Sequence, residues 1–119
     1  MGFHIPVSDY AVERLSLDSK LIPRPTSTYI MQSVETIRRA GIMKDAMLVV
    51  DSAATPVNGS IVVCQLNDEL RLKRLRLSPV RCLEDLNYPD RNQVMSPESE
   101  ILGVVMYIIN DARKGEFDD

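Results

Sequence analysis

Residues 61–75 read IVVCQLNDELRLKRL, and this stretch decides the fold class. The apolar run 61–66 is short and rich in β-branched side chains, which is typical of a buried or half-buried strand. Asn67-Asp68 then favours a reversal of the chain, because both residue types tolerate the backbone angles of tight turns. A second strand over residues 69–77 follows, so the stretch predicts two consecutive strands.

The leucines of the second strand change their alternation phase. Two leucines share one phase and two share the other: Leu70 and Leu72, then Leu75 and Leu77. Because alternate side chains of a strand point to opposite faces, the inward face has to switch near Lys73-Arg74. The pattern therefore predicts a β-bulge at that point, and bulges often re-aim a side chain at a functional site.

Two interpretations of Lys73 stay open. In the first, the predicted bulge turns Lys73 inward as the one cation of this strand with a structural reason to be buried. In the second, Lys73 belongs to a solvated basic face of the strand, together with Arg71, Arg74 and Arg76.

Further apolar runs bounded by turn residues extend the β pattern. Strands are predicted at Tyr29-Ile30-Met31 and Met47-Leu48-Val49-Val50, with a central strand at 101–109. Asn58-Gly59 is a strong signal for a tight turn. Helix is predicted only for the turn from Val34 to Ala40, which Gly41 would end.

The chain divides into three parts. Residues 1–26 are predicted to form an extended N-terminal arm and an irregular segment, because Pro6, Pro23 and Pro25 disfavour helix. Residues 27–113 form a β-rich domain, and residues 114–119 are expected to be a flexible tail.

Composition excludes several classes of protein. A chain of 119 residues with 45% hydrophobic residues suits one globular domain, and a net charge of −3 disfavours coating of nucleic acid. No stretch resembles a membrane span or a signal peptide, so the cytoplasm is expected. Cys64 and Cys82 lack metal-ligand spacing and are predicted to be reduced core thiols, and no cofactor or metal is predicted.

Other titratable side chains are expected on the surface. His4 lies on the predicted arm without metal-ligand companions. The acidic pairs Glu84-Asp85 and Glu98-Glu100 flank predicted loops and are interpreted as solvated carboxylates rather than as general acids or bases.

Taken together, the order of these motifs resembles the LexA/UmuD family of self-cleaving serine peptidases over almost the whole chain. The matching pieces are Gly2-Phe3, Pro6, Asp9-Tyr10, Glu13, Arg14, Leu17, Leu21-Ile22, Ser27-Thr28-Tyr29, residues 48–53 with Gly59, Ile61 and Val62, then residues 72–75 and Gly103-Val104-Val105. Residues 48–53 and 59–62 match the core hairpin of the family. The resemblance implies a mainly β, LexA/UmuD-like peptidase fold of twisted, mostly antiparallel sheets.

The resemblance also assigns the positions of a catalytic dyad. Family members use a serine in a Gly-Asp-Ser-Met turn, deprotonated by a lysine that must be uncharged. Lys73 matches the lysine, and Thr36 stands at the serine position in a turn that reads Val34-Glu35-Thr36-Ile37. Ser33 is a possible substitute nucleophile, but its register relative to Lys73 is wrong.

Two departures from the family pattern argue against peptidase activity. The extra methyl of Thr36 restricts its side chain and crowds the approach to a carbonyl carbon. Val34 replaces a glycine in a turn whose amides would have to stabilise an oxyanion. The dyad positions are therefore predicted to be inactive.

The start of the chain also matches the family. UmuD-type proteins lose an N-terminal stretch before Gly-Phe, and here Met1 directly precedes Gly2-Phe3. The chain is thus expected to correspond to the self-cleaved, shortened form. The native start and an engineered start at this residue remain alternatives.

The resemblance implies a function and a set of partners. We expect a homodimeric accessory subunit of an error-prone translesion polymerase in the SOS response, with a UmuC-like Y-family DNA polymerase as partner. The RecA filament and host UmuD or LexA are further possible partners, while membranes and sequence-specific DNA binding are not expected. The alternatives are a Thr36/Lys73 peptidase that cleaves itself or LexA-type repressors, and a phage or plasmid decoy that forms mixed dimers.

Overall fold

One antiparallel sheet dominates the computed structural model, which describes residues 16–94 and 100–114. Its strand order is β1-β2-β7-β3-β4-β5-β6. The strands are β1 (Thr28–Gln32), β2 (Met47–Asp51), β3 (Ile61–Leu66), β4 (Glu69–Arg76), β5 (Cys82–Glu84), β6 (Asn92–Val94) and β7 (Glu100–Ile109). The predicted mainly β fold is confirmed, and every apolar run that predicted a strand forms one.

Helical structure is confined to short segments. They are α1 (Leu17–Leu21) and three 3₁₀ turns, Pro25–Ser27, Arg38–Ala40 and Ala112–Lys114. No helix in the described ranges is long and apolar enough to cross a membrane.

The positions of the helical segments differ from the prediction at two places. Within residues 1–26, which were expected to form an extended arm and an irregular segment, α1 is helical. It begins there because the Ser16 hydroxyl accepts a hydrogen bond from the Ser19 amide and Asp18 lies in the first turn. In the stretch predicted as a helical turn, only Arg38–Ala40 is helical. Gly41 ends it with φ of 72°, as predicted.

The turn of Asn67 and Asp68 joins β3 to β4 directly. Both residues have positive φ, 51° and 63°, which is the geometry that two-residue hairpin turns require. The predicted reversal is therefore confirmed.

The predicted hairpin between residues 48–53 and 59–62 is wrong. β7 lies between β2 and β3 and pairs antiparallel with both. The β-branched, apolar run of β7 suits this central place, because a central strand is hydrogen-bonded along both of its edges. The Asn58-Gly59 turn does form, with φ of 92° at Gly59, but it leads into β3 from a loop rather than from a paired strand.

The predicted bulge near Lys73-Arg74 is also wrong. The pairing of β3 with β4 runs without a register shift from Ile61 opposite Arg74 to Leu66 opposite Glu69. The sheet instead buries side chains on both faces, so Leu72 and Leu75 pack on opposite sides of an unbroken strand. The register shifts lie in β7, where Leu102 and Met106 are the extra residues opposite β3 and β2.

Two apolar clusters cover the two faces of the sheet. The first comprises Ile37, Ile42, Ala46, Leu48, Val50, Val63 and Leu86. The second comprises Val62, Cys64, Leu75, Leu83 and Val104. Consecutive residues of β3 thus enter opposite clusters, as the two-residue period of a strand requires.

At Gly103 the strand β7 leaves no room for a side chain beside β2. A Cβ atom at this position would lie 2.6 Å from Val50 Cγ1, 3.2 Å from the Tyr29 hydroxyl and 3.3 Å from the Asp51 carbonyl oxygen. Carbon atoms cannot approach to 2.6 Å, so a side chain here would force Val50 or the strand β2 to shift away from β7.

An ion pair and backbone hydrogen bonds fix the end of β2. Arg24 Nη2 lies 2.5 Å from Asp51 Oδ2, whose side chain is almost fully buried. The Ala53 amide donates to Asp51 Oδ1 at 2.8 Å, and the Ser52 amide donates to the Ser27 carbonyl oxygen at 2.8 Å. The hydrogen bond from the Ala53 amide is the main cause that lowers the pKa of Asp51. Burial opposes this shift, while Ser27 and Arg24 add to it.

We predict that Gly103→Ala destabilises the protein by about 1–3 kcal/mol, the usual cost of overpacking a core. Val50→Ala removes the methyl groups that the new Cβ would strike. The double variant should therefore lose less stability than the sum of the two single variants, as measured by urea denaturation. Additive losses would show that the contact is not the cause.

We predict that Asp51→Asn lowers stability most above pH 4 and least in acid. Because the pKa of Asp51 is lowered on folding, its contribution is complete above the ordinary value of 3.8 and is lost as pH falls through the lower folded value. Urea midpoints measured over a pH series should therefore converge for the variant and the wild type at low pH.

Arg24→Gln is the matched control for this experiment. It leaves the Ala53 amide in place, which is the largest cause of the lowered pKa, so most of the pH dependence should remain. A constant gap between wild type and Asp51→Asn at all pH values would contradict the assignment.

Candidate functional site

The segment 33–46, which carries Thr36, folds back on itself as a closed turn. The Ser33 amide donates to the Ala46 carbonyl oxygen at 2.9 Å, and the Asp45 amide donates to the Ser33 carbonyl oxygen at 2.8 Å. Deeper in the turn, Ile37 and Ile42 exchange two backbone hydrogen bonds of 2.7 and 3.1 Å. We call this segment the site turn.

Asn110 attaches the site turn to the end of β7. Its Oδ1 accepts from the Met43 amide at 2.9 Å, and its Nδ2 donates to the Gly41 carbonyl oxygen at 2.9 Å. Both ends of the side-chain amide are thus used. The sequence analysis missed this residue, because nothing in the local pattern around an asparagine after a strand indicates a partner nearly 70 positions earlier.

Thr36 is half-buried within the site turn. Its Oγ1 accepts a hydrogen bond from the Lys44 amide at 3.1 Å, so the hydroxyl contributes to the closure of the turn. The Ser33 hydroxyl donates to the Glu35 carbonyl oxygen at 2.7 Å and is buried. Ser33, the possible substitute nucleophile, is therefore a turn-forming residue in this structure.

Val34 is the residue that the sequence analysis matched to the glycine of the Gly-Asp-Ser-Met turn. Its side chain is 85% exposed, and it is not among the described residues with positive φ. The backbone here therefore adopts a conformation open to any residue, rather than one reserved for glycine.

A groove of about 470 Å³ lies beside the site turn. Its walls come from the site turn, from the paired strands β1 and β2, and from the first half of β4. The lining residues are Met31, Gln32, Ser33, Val34, Glu35, Ile37, Leu48, Glu69, Leu70, Arg71, Leu72, Lys73 and Asp85. The structure thus brings Lys73 together with the residues on either side of Thr36.

Lys73 lies on β4 just beyond the part of that strand that pairs with β5. β5 pairs only with Arg74–Arg76, and Lys73 stands opposite Val62 on the other side. The Lys73 side chain is 18% exposed, and its Nζ lies 3.7 Å from Asp85 Oδ2. Of the two interpretations of Lys73, the inward orientation fits this low exposure better than a solvated basic face, although no bulge produces it.

The carboxylate beside Lys73 matters for proton transfer. A lysine that serves as general base must present a free electron pair to the hydroxyl proton. In this structure the Lys73 amine forms an ion pair with the Asp85 carboxylate at 3.7 Å. The groove therefore presents a paired cation to the site turn.

The interpretation of Glu84 and Asp85 as solvated carboxylates is wrong. Glu84 Oε1 accepts from Arg76 Nε at 3.0 Å, with the Glu84 side chain only 18% exposed. Both residues are half-buried and ion-paired, because β5 places them beside the basic side chains of β4.

His4, Glu98 and the side chain of Glu100 lie outside the described part of the molecule.

The two cysteines are free thiols in different settings. Cys64 is fully buried in the second cluster, and burial raises its pKa, although the positive charges of Lys73 and Arg71 act in the opposite direction. Cys82 on β5 is only half-buried, so the prediction of a core thiol holds fully for Cys64 alone.

In the described ranges, no cluster of three or more His, Cys, Asp or Glu side chains could hold a metal ion.

Comparison with known proteins adds a family to this geometry. Residues 1–106 match the Peptidase S24-like family. Protein ImpA from Salmonella typhimurium is 36% identical over 115 residues, which cover 95% of this chain and 79% of ImpA. Protein SamA from Salmonella typhimurium strain LT2 is 33% identical over 113 residues, covering 94% and 80% of the two chains. Protein MucA from Escherichia coli is 33% identical over 110 residues, covering 89% and 75%.

Proposed function

Because this chain belongs to the Peptidase S24-like family, in its LexA/UmuD branch, we propose that it is a UmuD′-like accessory subunit of an error-prone translesion DNA polymerase. Its similarity to UmuD-like proteins extends over most of the chain and supports a role of the UmuD type in error-prone repair. In this proposal the protein works in the SOS response by binding other proteins and does not cleave peptide bonds.

The observation that supports the absence of peptide cleavage is that Lys73 and Thr36 are each paired with another residue. Peptide cleavage by a hydroxyl needs a base that removes its proton and amides that stabilise the oxyanion. Lys73 is paired with Asp85 at 3.7 Å, and the Thr36 hydroxyl already accepts the Lys44 amide. Together with Val34 at the glycine position, these contacts favour a scaffold over an enzyme.

A face of the sheet supports the proposed homodimer. Ile30, Met47 and Tyr107 lie on the same face of β1, β2 and β7, because Ile30 and Tyr107 both stand opposite Val49. Their exposed fractions are 50%, 46% and 41%. Neighbouring exposed apolar side chains of this size favour a protein contact, and a second copy of the chain is the occupant we propose.

The polymerase partnership predicts that the purified protein binds a UmuC-like catalytic chain and increases synthesis past a damaged template base. Thr36→Ala and Lys73→Ala should support the same bypass as the wild type, because the proposed role needs no cleavage. Pull-down and primer extension on a lesion template measure both properties. Failure to bind the catalytic chain would overturn the proposal, and mixed dimers with host UmuD without a gain in bypass would favour a decoy instead.

The same proposal predicts no cleavage of LexA or full-length UmuD in trans. The test should include about pH 9.5, where a larger fraction of an ordinary lysine is uncharged. Cleavage that disappears in both Thr36→Ala and Lys73→Ala would establish a Thr/Lys peptidase and contradict the loss of activity.

The proposed dimer face predicts that Ile30→Glu weakens self-association. A charge placed in an apolar contact has to be desolvated, so we expect the dimer dissociation constant to rise at least about tenfold, equal to about 1.4 kcal/mol. Analytical ultracentrifugation measures it. Val57→Glu is the control, since Val57 is exposed but lies outside these three strands. Unchanged association of Ile30→Glu would exclude this face.

A further inference from the structure

Asp85 is held in place by the loop that follows β5. Its Oδ1 accepts two backbone hydrogen bonds, from the Asn87 amide and the Tyr88 amide, both at 2.9 Å. The Asp85 amide donates to the Arg91 carbonyl oxygen at 2.9 Å, which closes the same loop. One carboxylate oxygen thus serves the loop, and the orientation of the other is fixed as a consequence.

The strand register directs that second oxygen toward Lys73. β4 pairs with β5 at Arg76 opposite Cys82, Leu75 opposite Leu83 and Arg74 opposite Glu84. The next position in this register places Asp85 across from Lys73, and side chains of directly opposed residues share one face of a sheet. The distance of 3.7 Å between Lys73 Nζ and Asp85 Oδ2 agrees with this register.

We propose that Asp85 is a positioning residue that holds Lys73 as a paired ammonium and thereby keeps the family lysine from acting as a base. This inference rests on the proposed loss of peptidase function and adds a cause that lies outside the dyad. Thr36 and Val34 alter the nucleophile side of the groove, whereas Asp85 acts on the lysine side. Two independent features of the groove would then oppose peptide cleavage by this chain.

Other titratable and charged side chains lie near Lys73, and their partners and positions differ from those of Asp85. Glu35 of the site turn lines the same groove, as do Glu69 and Arg71 of β4. Glu69 and Arg71 pair with each other at 2.6 Å. The Cys64 thiol of β3 is buried, which raises its pKa and favours the neutral form near neutral pH. The two carboxylates of the groove that are not paired with Arg71 are Glu35 and Asp85, and Asp85 Oδ2 lies within ion-pair distance of Lys73 Nζ, at 3.7 Å.

Asp85→Asn tests the proposal with little change in shape. Asparagine keeps an oxygen acceptor for the Asn87 and Tyr88 amides, so the loop can close, but the negative charge is lost. The experiment measures acylation of each lysine by an amine-reactive ester over about pH 6 to 10, with peptide mapping by mass spectrometry. Lys20, which is exposed on α1, serves as the internal reference.

We expect Asp85→Asn to raise the rate of Lys73 acylation near neutral pH by about three- to tenfold relative to Lys20, which is the size of a half-exposed charge pair. The pH profile of Lys73 should shift toward lower pH, an effect that a merely structural role of Asp85 would not produce. Glu84→Gln, which removes the neighbouring carboxylate paired with Arg76, should leave the Lys73 profile unchanged, and Glu35→Gln should shift it less than Asp85→Asn. An unchanged profile in Asp85→Asn, or an equal shift in Glu84→Gln, would overturn the proposal.

A measurement on the wild type decides the question if the variant does not fold. Raising the salt concentration to about 1 M screens a partly exposed ion pair, so the ratio of Lys73 to Lys20 acylation should rise. A ratio that does not change with salt would count against the pair. Neither readout depends on a polymerase, so failure of this inference and failure of the proposed accessory function are distinguishable.

Discussion

The insertion of β7 between β2 and β3 is the constraint on which the rest of the structure depends. β1 and β2 join β3 through β6 only through the hydrogen bonds of β7. This arrangement requires Gly103, because any side chain there would occupy the space of Val50. The walls of the groove come from both halves of the sheet, from β1 and β2 on one side and from β4 on the other. The position of Lys73 relative to the site turn is therefore set by the central strand.

Three ion pairs connect segments of this sheet and its flanking loops. Arg24 with Asp51, Arg76 with Glu84, and Lys73 with Asp85 each join two segments that are separate in sequence. All three pairs include a side chain that is at least mostly buried, so they order the structure more than pairs between fully exposed side chains do. In the groove, the same kind of contact pairs the amine of Lys73 with the carboxylate of Asp85.

The sequence predicted local features better than non-local ones. The strands at residues 47–50 and 61–66 and the reversal at Asn67-Asp68 follow from β-branched runs and turn residues, which act over a few neighbouring positions. The separation of β2 from β3 depends on β7, some forty residues further along the chain, and no local pattern contains that information. The supposed bulge at Lys73 failed for a related reason, since an unbroken strand can bury Leu72 and Leu75 when both faces of the sheet are covered.

In the candidate site, too, the sequence indicated some residues, whereas others depend on contacts between distant parts of the chain. The family pattern placed Thr36 and Lys73, whose roles as dyad positions stay predictions, and the structure brings Lys73 to the groove beside the site turn. Asp85 and Asn110 could not be predicted, because each acts through a partner that the fold alone brings near.

Asn110 fixes the site turn to the end of β7. A turn held by both ends of one side-chain amide cannot shift without breaking hydrogen bonds to the central strand. The loop around Thr36 therefore keeps its position relative to the end of β7. A substitution of Asn110 would thus alter the loop around Thr36 from a position nearly 70 residues later in the chain.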